Sequence, residues 1–391
     1  MHIPDGYLSP QTAGGMWAFV VPAWYWAGHK VKNTISARQA PLVAIAAAFS
    51  FVIMMFNIPL PGGTTGHAVG ATIIAIVVGP WAAVIAISVA LVIQAIFFGD
   101  GGILAIGANC FNIAFICPVV GYYTYRFFAK GAATDSRRRW LSAGAGAWIG
   151  LNVAALFTAI EFGLQGELFT AADGSALYSP YGFSTAIPAM MIPHMLVVGT
   201  IEAVMTSSIY VFLIKTNPVL LDNYDYLNAQ AAGSYKLKPL IIGIVLLLVC
   251  TPLGLLATGT AWGEWGTKEI GEEIGYVPTG MERFAGRWEG FLPEYAFPES
   301  EGAGEDEEGA TGAGDETGGA VEGGAEAAEV TAGATEEGTV EEVAPVSLEG
   351  VEESTPGYLI SGVLGLFLVV GVALMATRVL TGKPRSKEQL G

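Results

Sequence analysis

Charge is what this sequence has least of: 14% of its 391 residues are Asp, Glu, Lys or Arg, against 52% hydrophobic residues. The apolar residues run in long blocks, such as 41–56, 103–128 and 240–256. That combination excludes an ordinary soluble domain and is the composition of a bilayer protein. Lys and Arg number 18 against 35 Asp and Glu, and the net charge of −17 implies neither nucleic acid nor anionic lipid as a partner. The acidic excess is local, because 299–353 holds 18 Asp and Glu and no Lys or Arg. This tract of Gly, Ala, Thr and Glu also lacks aromatic residues. It cannot bury enough apolar surface to offset the entropy of ordering it, so 299–355 is expected to be a disordered tether.

Cysteine is equally sparse. Cys110, Cys117 and Cys250 stand in apolar runs without metal-ligand spacing, which excludes a disulfide framework and leaves packing as their role. No basic stretch followed by an apolar run opens the chain, so no cleavable signal peptide is expected and the N-terminus is read as part of the mature protein. No Gly-x-x-x-x-Gly-Lys-Ser/Thr phosphate loop occurs, so ATP hydrolysis by this chain is not expected. No His-Glu-x-x-His cluster occurs either.

What the sequence has in quantity is apolar stretches of helix length. Membrane helices are expected near 14–28, 41–56, 103–128, 139–163, 185–214, 239–259 and 357–378, with a long block at 68–98 interrupted by Gly79-Pro80. Proline lacks a backbone donor and clashes with the preceding turn, so the block is one kinked helix or two helices, 66–78 and 81–98. Basic residues decide between them. With the block split and the N-terminus outside, the inner segments 28–40, 126–139, 215–238 and 378–391 carry 15 of the 18 Lys and Arg. The short outer segments 1–13, 57–67, 98–103 and 163–184 then carry none. An unbroken block would put Arg137, Arg138 and Arg139 outside. The expected fold is an all-α integral membrane protein with a seven-helix bundle over 1–217, a cytoplasmic linker over 218–238 and two further transmembrane helices over 239–380. These two are joined by a long extracytoplasmic loop, aromatic over 260–298 and acidic beyond, and a basic cytoplasmic tail follows over 381–391.

The chain opens on Met1-His2, which offers three nitrogens in fixed order: the terminal amine, the His2 amide once deprotonated, and the His2 imidazole Nδ1. Together they make two fused chelate rings. Three nitrogens near one plane, completed by a fourth from another histidine, suit square-planar Ni(II) or Cu(II) better than tetrahedral Zn(II). His67 ends a Gly-rich segment on the same outer face and is the natural fourth donor. Pro4-Asp5-Gly6 is a turn signal that folds the terminus back toward the bundle, and Asp5 is a candidate supporting group there.

The sequence has four histidines. His29, among Lys30 and Lys32 at an inner helix end, is read as solvated. His194 and Glu202 lie eight residues apart, about two turns along one helix face. Ionisable groups inside a membrane are costly, so both are candidates for the transport pathway, the alternative being a hydrogen bond across helices. Asp100 and Asn109, near the ends of the Gly-rich 99–107 segment, are candidates for ordering the outer vestibule. Helix capping is the other reading of Asp100.

Five motifs in order, MHIPDGYLSP, IPLPGGTTGH, GPWAA, QAIFFGDGGILAIGANCFN and IPHMLVVGTIEA, closely resemble the CbiM/NikM substrate-capture subunits of energy-coupling-factor cobalt and nickel transporters. The resemblance spans roughly 1–215. It implies a free N-terminus threaded into the bundle and a metal held by the terminal amine, the second residue's amide and imidazole, and a histidine after the Gly-rich loop. Those positions are Met1, His2 and His67. The segments TPLGLLATGTAWGEWG and GYVPTGMERFAG, with the final helix, resemble the two-helix companion subunit, CbiN or PDGLE-like NikN, here fused to the same chain. In such systems the companion assists metal loading.

The resemblance further implies a coupling subunit of the CbiQ/NikQ type and ATPase subunits of the CbiO/NikO type as partners. It implies no catalytic residue, no permanently bound cofactor, and Ni(II) or Co(II) as the transported ion. The function expected is therefore substrate capture for an ATP-driven nickel importer in the cell membrane, N-terminus outside and C-terminus cytoplasmic, with cobalt as the alternative cargo. More distant alternatives are an intramembrane metalloenzyme on His194 and Glu202 and an ATPase-independent, ion-coupled transporter. The latter would need a chain of buried acids, and the bundle's helices offer only Glu161 and Glu202.

Overall fold

The structure, a computed structural model, describes residues 1–60, 64–222, 235–257, 260–295 and 348–381. Most of the expected tether, residues 223–234 of the expected linker and the tail from 382 onward lie outside the described residues. The main helices are α1 (Pro10–Thr34), α2 (Ala40–Met54), α3 (Ala71–Val78), α4 (Pro80–Phe98), α5 (Ile106–Phe128), α6 (Arg137–Leu168), α7 (Phe183–Thr216), α8 (Leu237–Leu256) and α9 (Leu348–Thr381). Six of them, α4 to α9, are long and apolar enough to cross a membrane by length and composition, and α2 is a shorter apolar helix. The chain is thus a mostly helical, multi-pass membrane protein.

Local sequence sets several helix ends. Ser9 caps α1, its Oγ accepting the Thr12 N–H at 3.2 Å, and Pro10 takes the first helical position, where no backbone donor is needed. Gly79 alone separates α3 from α4, at a φ of 88° that a side chain would strain, and Pro80 starts α4. The break expected at Gly79-Pro80 is therefore a turn between two helices. The third helix is shorter than the expected 66–78, because the Val69 and Gly70 N–H groups are drawn out of helix to bond the Glu202 carboxylate. Eight residues rise only about 12 Å, and seven of the eight in α3 are buried, so it is an interior helix held by its neighbours.

Small residues let the helices around α3 approach closely. A Cβ on Gly150 of α6 would stand 2.6 Å from the Cys117 carbonyl oxygen of α5. On the other flank α9 runs along α2, with Gly365 against Phe51, and α8 joins them. Leu246, Val249 and Leu253 of α8 are exposed apolar residues, as a peripheral membrane helix requires. Cys250 is exposed on this helix too, so the packing role expected of all three cysteines holds for Cys110 and Cys117 only.

Two features of the bundle end that carries the N-terminus differ from a plain loop. Ile58–Leu60 and Thr64–Gly66 pair as two short antiparallel strands, in which β-branched Thr65 pairs with Pro59. Residues 260–295 fold into two short helices, Thr267–Ile274 and Thr279–Phe284, and a last turn at Pro293–Tyr295, which dock on that same end.

Candidate metal centre

Residues 1–9 run back into the bundle end and are largely buried. The Ile3 N–H donates to Asn109 Oδ1 at 2.8 Å, and the Asn109 amide donates to the Ile3 carbonyl at 3.1 Å. The Asp5 carboxylate accepts the N–H groups of Ile103, Leu104 and Ala105 at 3.0, 2.8 and 3.3 Å, where an anion meets the free amides ahead of α5. Burial raises the Asp5 carboxyl above its ordinary value, and these three N–H groups act in the opposite direction. Gly6, at φ 94°, lets the chain turn so close to Met281 that a Cβ would stand 2.8 Å from its carbonyl oxygen. Beyond the turn, the Tyr7 hydroxyl donates to the Trp265 carbonyl and the Ser9 N–H to Gln165 Oε1, both at 2.9 Å.

This threading brings His2 against His67. Their rings stack at a centroid distance of 4.9 Å and an angle of 29°. The strand Thr64–Gly66 leads directly to His67, whose Nδ1 lies 3.2 Å from the Ala68 carbonyl oxygen. His2 and His67 are 3% and 8% exposed, yet neither Nε2 has a partner among the described residues. A buried polar atom without a partner is costly, and a bound cation would remove that cost.

The other two nitrogens of the terminus meet carboxylates. The Met1 amine pairs with Glu264 Oε1 at 2.9 Å, and His2 Nδ1 lies 2.5 Å from Asp100 Oδ1. The second Asp100 oxygen accepts the Tyr295 hydroxyl at 2.7 Å and Gln94 Nε2 at 3.1 Å. Gln94 reaches this point from the π-wound last turn of α4, Gln94–Phe98. Burial alone would raise the Asp100 carboxyl, but the His2 ring and the Tyr295 hydroxyl hold it below the ordinary carboxylate range. Burial, then the neighbouring His2 and terminal amine, push His67 well below the usual imidazole value, so its ring is neutral and can give a lone pair. His2, His67, Asp100, Glu264 and Tyr295 line a cavity of about 340 Å³.

Of the residues singled out from the sequence, the structure gathers Met1, His2, His67 and Asp100, with Asn109 and Asp5 anchoring the segment behind them. It does not bring His194 or Glu202 to the cavity. His194 Nδ1 bonds the Met190 carbonyl of its own helix at 2.7 Å. Glu202 Oε2 accepts the Val69 and Gly70 N–H groups at 2.8 and 3.1 Å, anchoring the turn behind His67. Among the described residues no three His, Cys, Asp or Glu side chains group as metal ligands. A centre at this rim therefore needs main-chain nitrogens as well as imidazoles.

Sequence reasoning missed Gln94, Glu264 and Tyr295. Glu264 faces a residue 263 positions away, and no local pattern marks it. Tyr295 adopts a positive φ of 64°, a conformation costly for a bulky side chain and invisible in the sequence.

The family model for the cobalt uptake substrate-specific transmembrane region matches residues 2–220, and the model for the PDGLE domain matches residues 237–382. The fused nickel transport protein NikMN of Rhodobacter capsulatus is 48% identical over 311 residues, 76% of this chain and 88% of that protein. The probable fused nickel transport protein LarMN of Lactiplantibacillus plantarum is 44% identical over 289 residues, 72% of this chain and 84% of that one. The cobalt transport protein CbiM of Acetohalobium arabaticum is 33% identical over 165 residues, 41% of this chain and 64% of its own length. A crystal structure of a truncated transition metal transporter superposes with a TM-score of 0.52 at 52% identity, covering 55% of this chain and 99% of that one.

Proposed function

The chain belongs to the cobalt uptake substrate-specific transmembrane (CbiM) family of metal transport proteins, with a PDGLE domain fused behind it, and from that premise we propose that it is the substrate-capture component of an ATP-driven nickel importer. Ni(II) is taken from outside by the Met1 amine, the His2 amide, His2 Nδ1 and His67 Nε2. The observation that carries this reading is the facing pair of buried imidazoles, with His67 Nε2 without a partner among the described residues, on a cavity beside the terminal amine. Carboxylates hold two of the four nitrogens, the amine by Glu264 and Nδ1 by Asp100. Loading exchanges those bonds for the metal. The ligands must shed their protons to bind, so uptake weakens in acid.

A planar nitrogen set favours nickel, in keeping with relatives named as nickel transport proteins. Cobalt is the second reading, favoured by the relatives named as cobalt transport proteins. The chain carries no phosphate loop. Energy is therefore assigned to separate ATPase subunits of the CbiO/NikO type, joined through a coupling subunit of the CbiQ/NikQ type. The distribution of Lys and Arg assigns the N-terminus to the outside and the C-terminus to the cytoplasm. Residues 1–217 form the capture bundle in this reading, and 239–380 assist loading. Calorimetry of Ni(II) and Co(II) binding, to the chain and to a version with one residue added before Met1, tests it. Tight binding lost on extension is expected; binding that survives extension would sink the N-terminal site.

A further inference from the structure

The 260–295 loop reaches three parts of the rim that carry or hold a donor. The Trp262 N–H donates to Thr64 Oγ1 at 2.5 Å, on the strand that leads to His67. The Tyr295 hydroxyl holds Asp100, which in turn holds His2. Glu264, two residues after Trp262, takes the Met1 amine itself at 2.9 Å.

The last of these contacts is the one on which the position of the amine depends. The terminal segment is anchored through its main chain from Ile3 onward, by Asn109, and the His2 side chain is held by Asp100. Ahead of them, Glu264 is the amine's only ion pair among the described residues, and Met1 is 6% exposed. A buried ammonium that loses its counter-charge is unfavourable, and the free end of a chain then has every reason to swing into water.

We infer that Glu264 is a positioning residue for cation capture: it holds the terminal amine beside His2 and releases it to the arriving cation. This rests on the proposal that Met1, His2 and His67 hold the metal. The amine reaches a cation only by leaving Glu264, so capture breaks this pair. A carboxylate suits the task, because it keeps the amine in place without occupying the nitrogen set. It also draws a divalent cation toward the cavity mouth. The Glu264 side chain is 24% exposed, so it has water to turn to when the amine leaves. The influence of the fused PDGLE domain on capture is thereby focused on one contact between residue 264 and residue 1.

The test is Ni(II) association, followed by stopped flow on the full chain, for the parent and for Glu264→Gln, Glu264→Asp and Glu269→Gln. Glu269 accepts the Gly266 N–H and the Thr260 hydroxyl, each at 2.8 Å, so its variant loosens the same loop without touching Met1. Glu264→Gln is expected to slow association about tenfold, the effect of ordering one or two freed side-chain or terminal groups at binding. Glu264→Asp should recover most of that rate, and Glu269→Gln should stay within about twofold of the parent. The visible absorption of the bound nickel should be the same in all four, since the ligands are unchanged. Loading of Glu264→Gln at the parental rate, with binding still lost on N-terminal extension, overturns this inference alone. Equal slowing by Glu269→Gln overturns it too, because loop integrity would then be the cause. If nickel binding survives the extension, the N-terminal site falls and this inference with it.

Discussion

His2 and His67 at the rim and His194 and Glu202 within α7 are all buried ionisable residues, yet the two pairs use burial differently. At the rim, both imidazoles keep an unpaired Nε2 and share a cavity with two carboxylates. In the helix, His194 Nδ1 is spent on the Met190 carbonyl and one Glu202 oxygen on two backbone N–H groups. Glu202 Oε1 is unpaired as well, but no further His, Cys, Asp or Glu side chains among the described residues complete a ligand group around it. Burial of an ionisable group in a membrane thus marks a site only where lone pairs remain free and other donors converge. Under the proposed assignment the rim completes its set with a chain end, which places an amine beside the imidazoles.

The largest test of this contrast removes a ligand on one side of it. His67→Ala is expected to lower Ni(II) affinity by at least about 100-fold in calorimetry, more than the loss of a supporting residue costs. Parental affinity in that variant would break the comparison. Next comes Asp100→Asn, which keeps the shape but weakens the hold on His2 Nδ1 and Tyr295. Because loading exchanges the Asp100 bond on Nδ1 for the metal, Ni(II) association about tenfold slower is expected, as for Glu264→Gln, with the absorption of the bound metal unchanged.

Acid gives a third test, on the metal-free chain. Burial, aided by His2 and the amine, lowers the His67 value in the folded protein, so between that value and about 6.5 the unfolded chain binds the proton and the folded one does not. Stability is therefore complete above about pH 6.5 and falls as pH drops below it, by at most about 1.4 kcal/mol per pH unit from this group. Thermal unfolding in detergent at several pH values should show that slope, and His67→Gln should flatten it. Identical slopes would assign the effect elsewhere.

The α7 side of the comparison predicts smaller changes. Glu202→Gln replaces a charged acceptor of the Val69 and Gly70 N–H groups by a neutral one, and a loss of about 1–2 kcal/mol in unfolding free energy is expected. Its cost to nickel affinity should be minor, because only the turn behind His67 is loosened. Smallest of all is His194→Gln, expected to change nickel affinity by no more than about 0.5 kcal/mol. A loss comparable to that of His67→Ala would return His194 to the transport pathway and erase the contrast.

Several elements of this protein were legible before any coordinates. Gly79-Pro80 read correctly as a turn between helices, since tolerance of a positive φ and a missing backbone donor are properties of those two residues wherever they fall. Other elements were not. Residues 67–70 read as helix, and they lie outside α3, with Gly70 left-handed at φ 71°, because the N–H groups of Val69 and Gly70 bond a carboxylate more than 130 positions later. The strands Ile58–Leu60 and Thr64–Gly66 read as loop, because strands of three residues are too short to show alternation. His194 and Glu202 read as a pair on one helix face, and what each bonds to was set by main-chain groups that spacing does not reveal.

What the sequence determined by itself was therefore local: the apolar spans, the breaks between them, and the order of nitrogens in Met1-His2, all of which follow from residues adjacent along the chain. Only the tertiary structure decided that Asp5 anchors the terminus, that Asp100 and Tyr295 hold His2, and that Glu264 takes the amine. Those contacts join residues roughly 100 to 300 positions apart in the chain. Nothing in local sequence specifies which buried polar group meets which, because hydrogen bonds and ion pairs depend on separations of about 3 Å that only the packing of the helices sets.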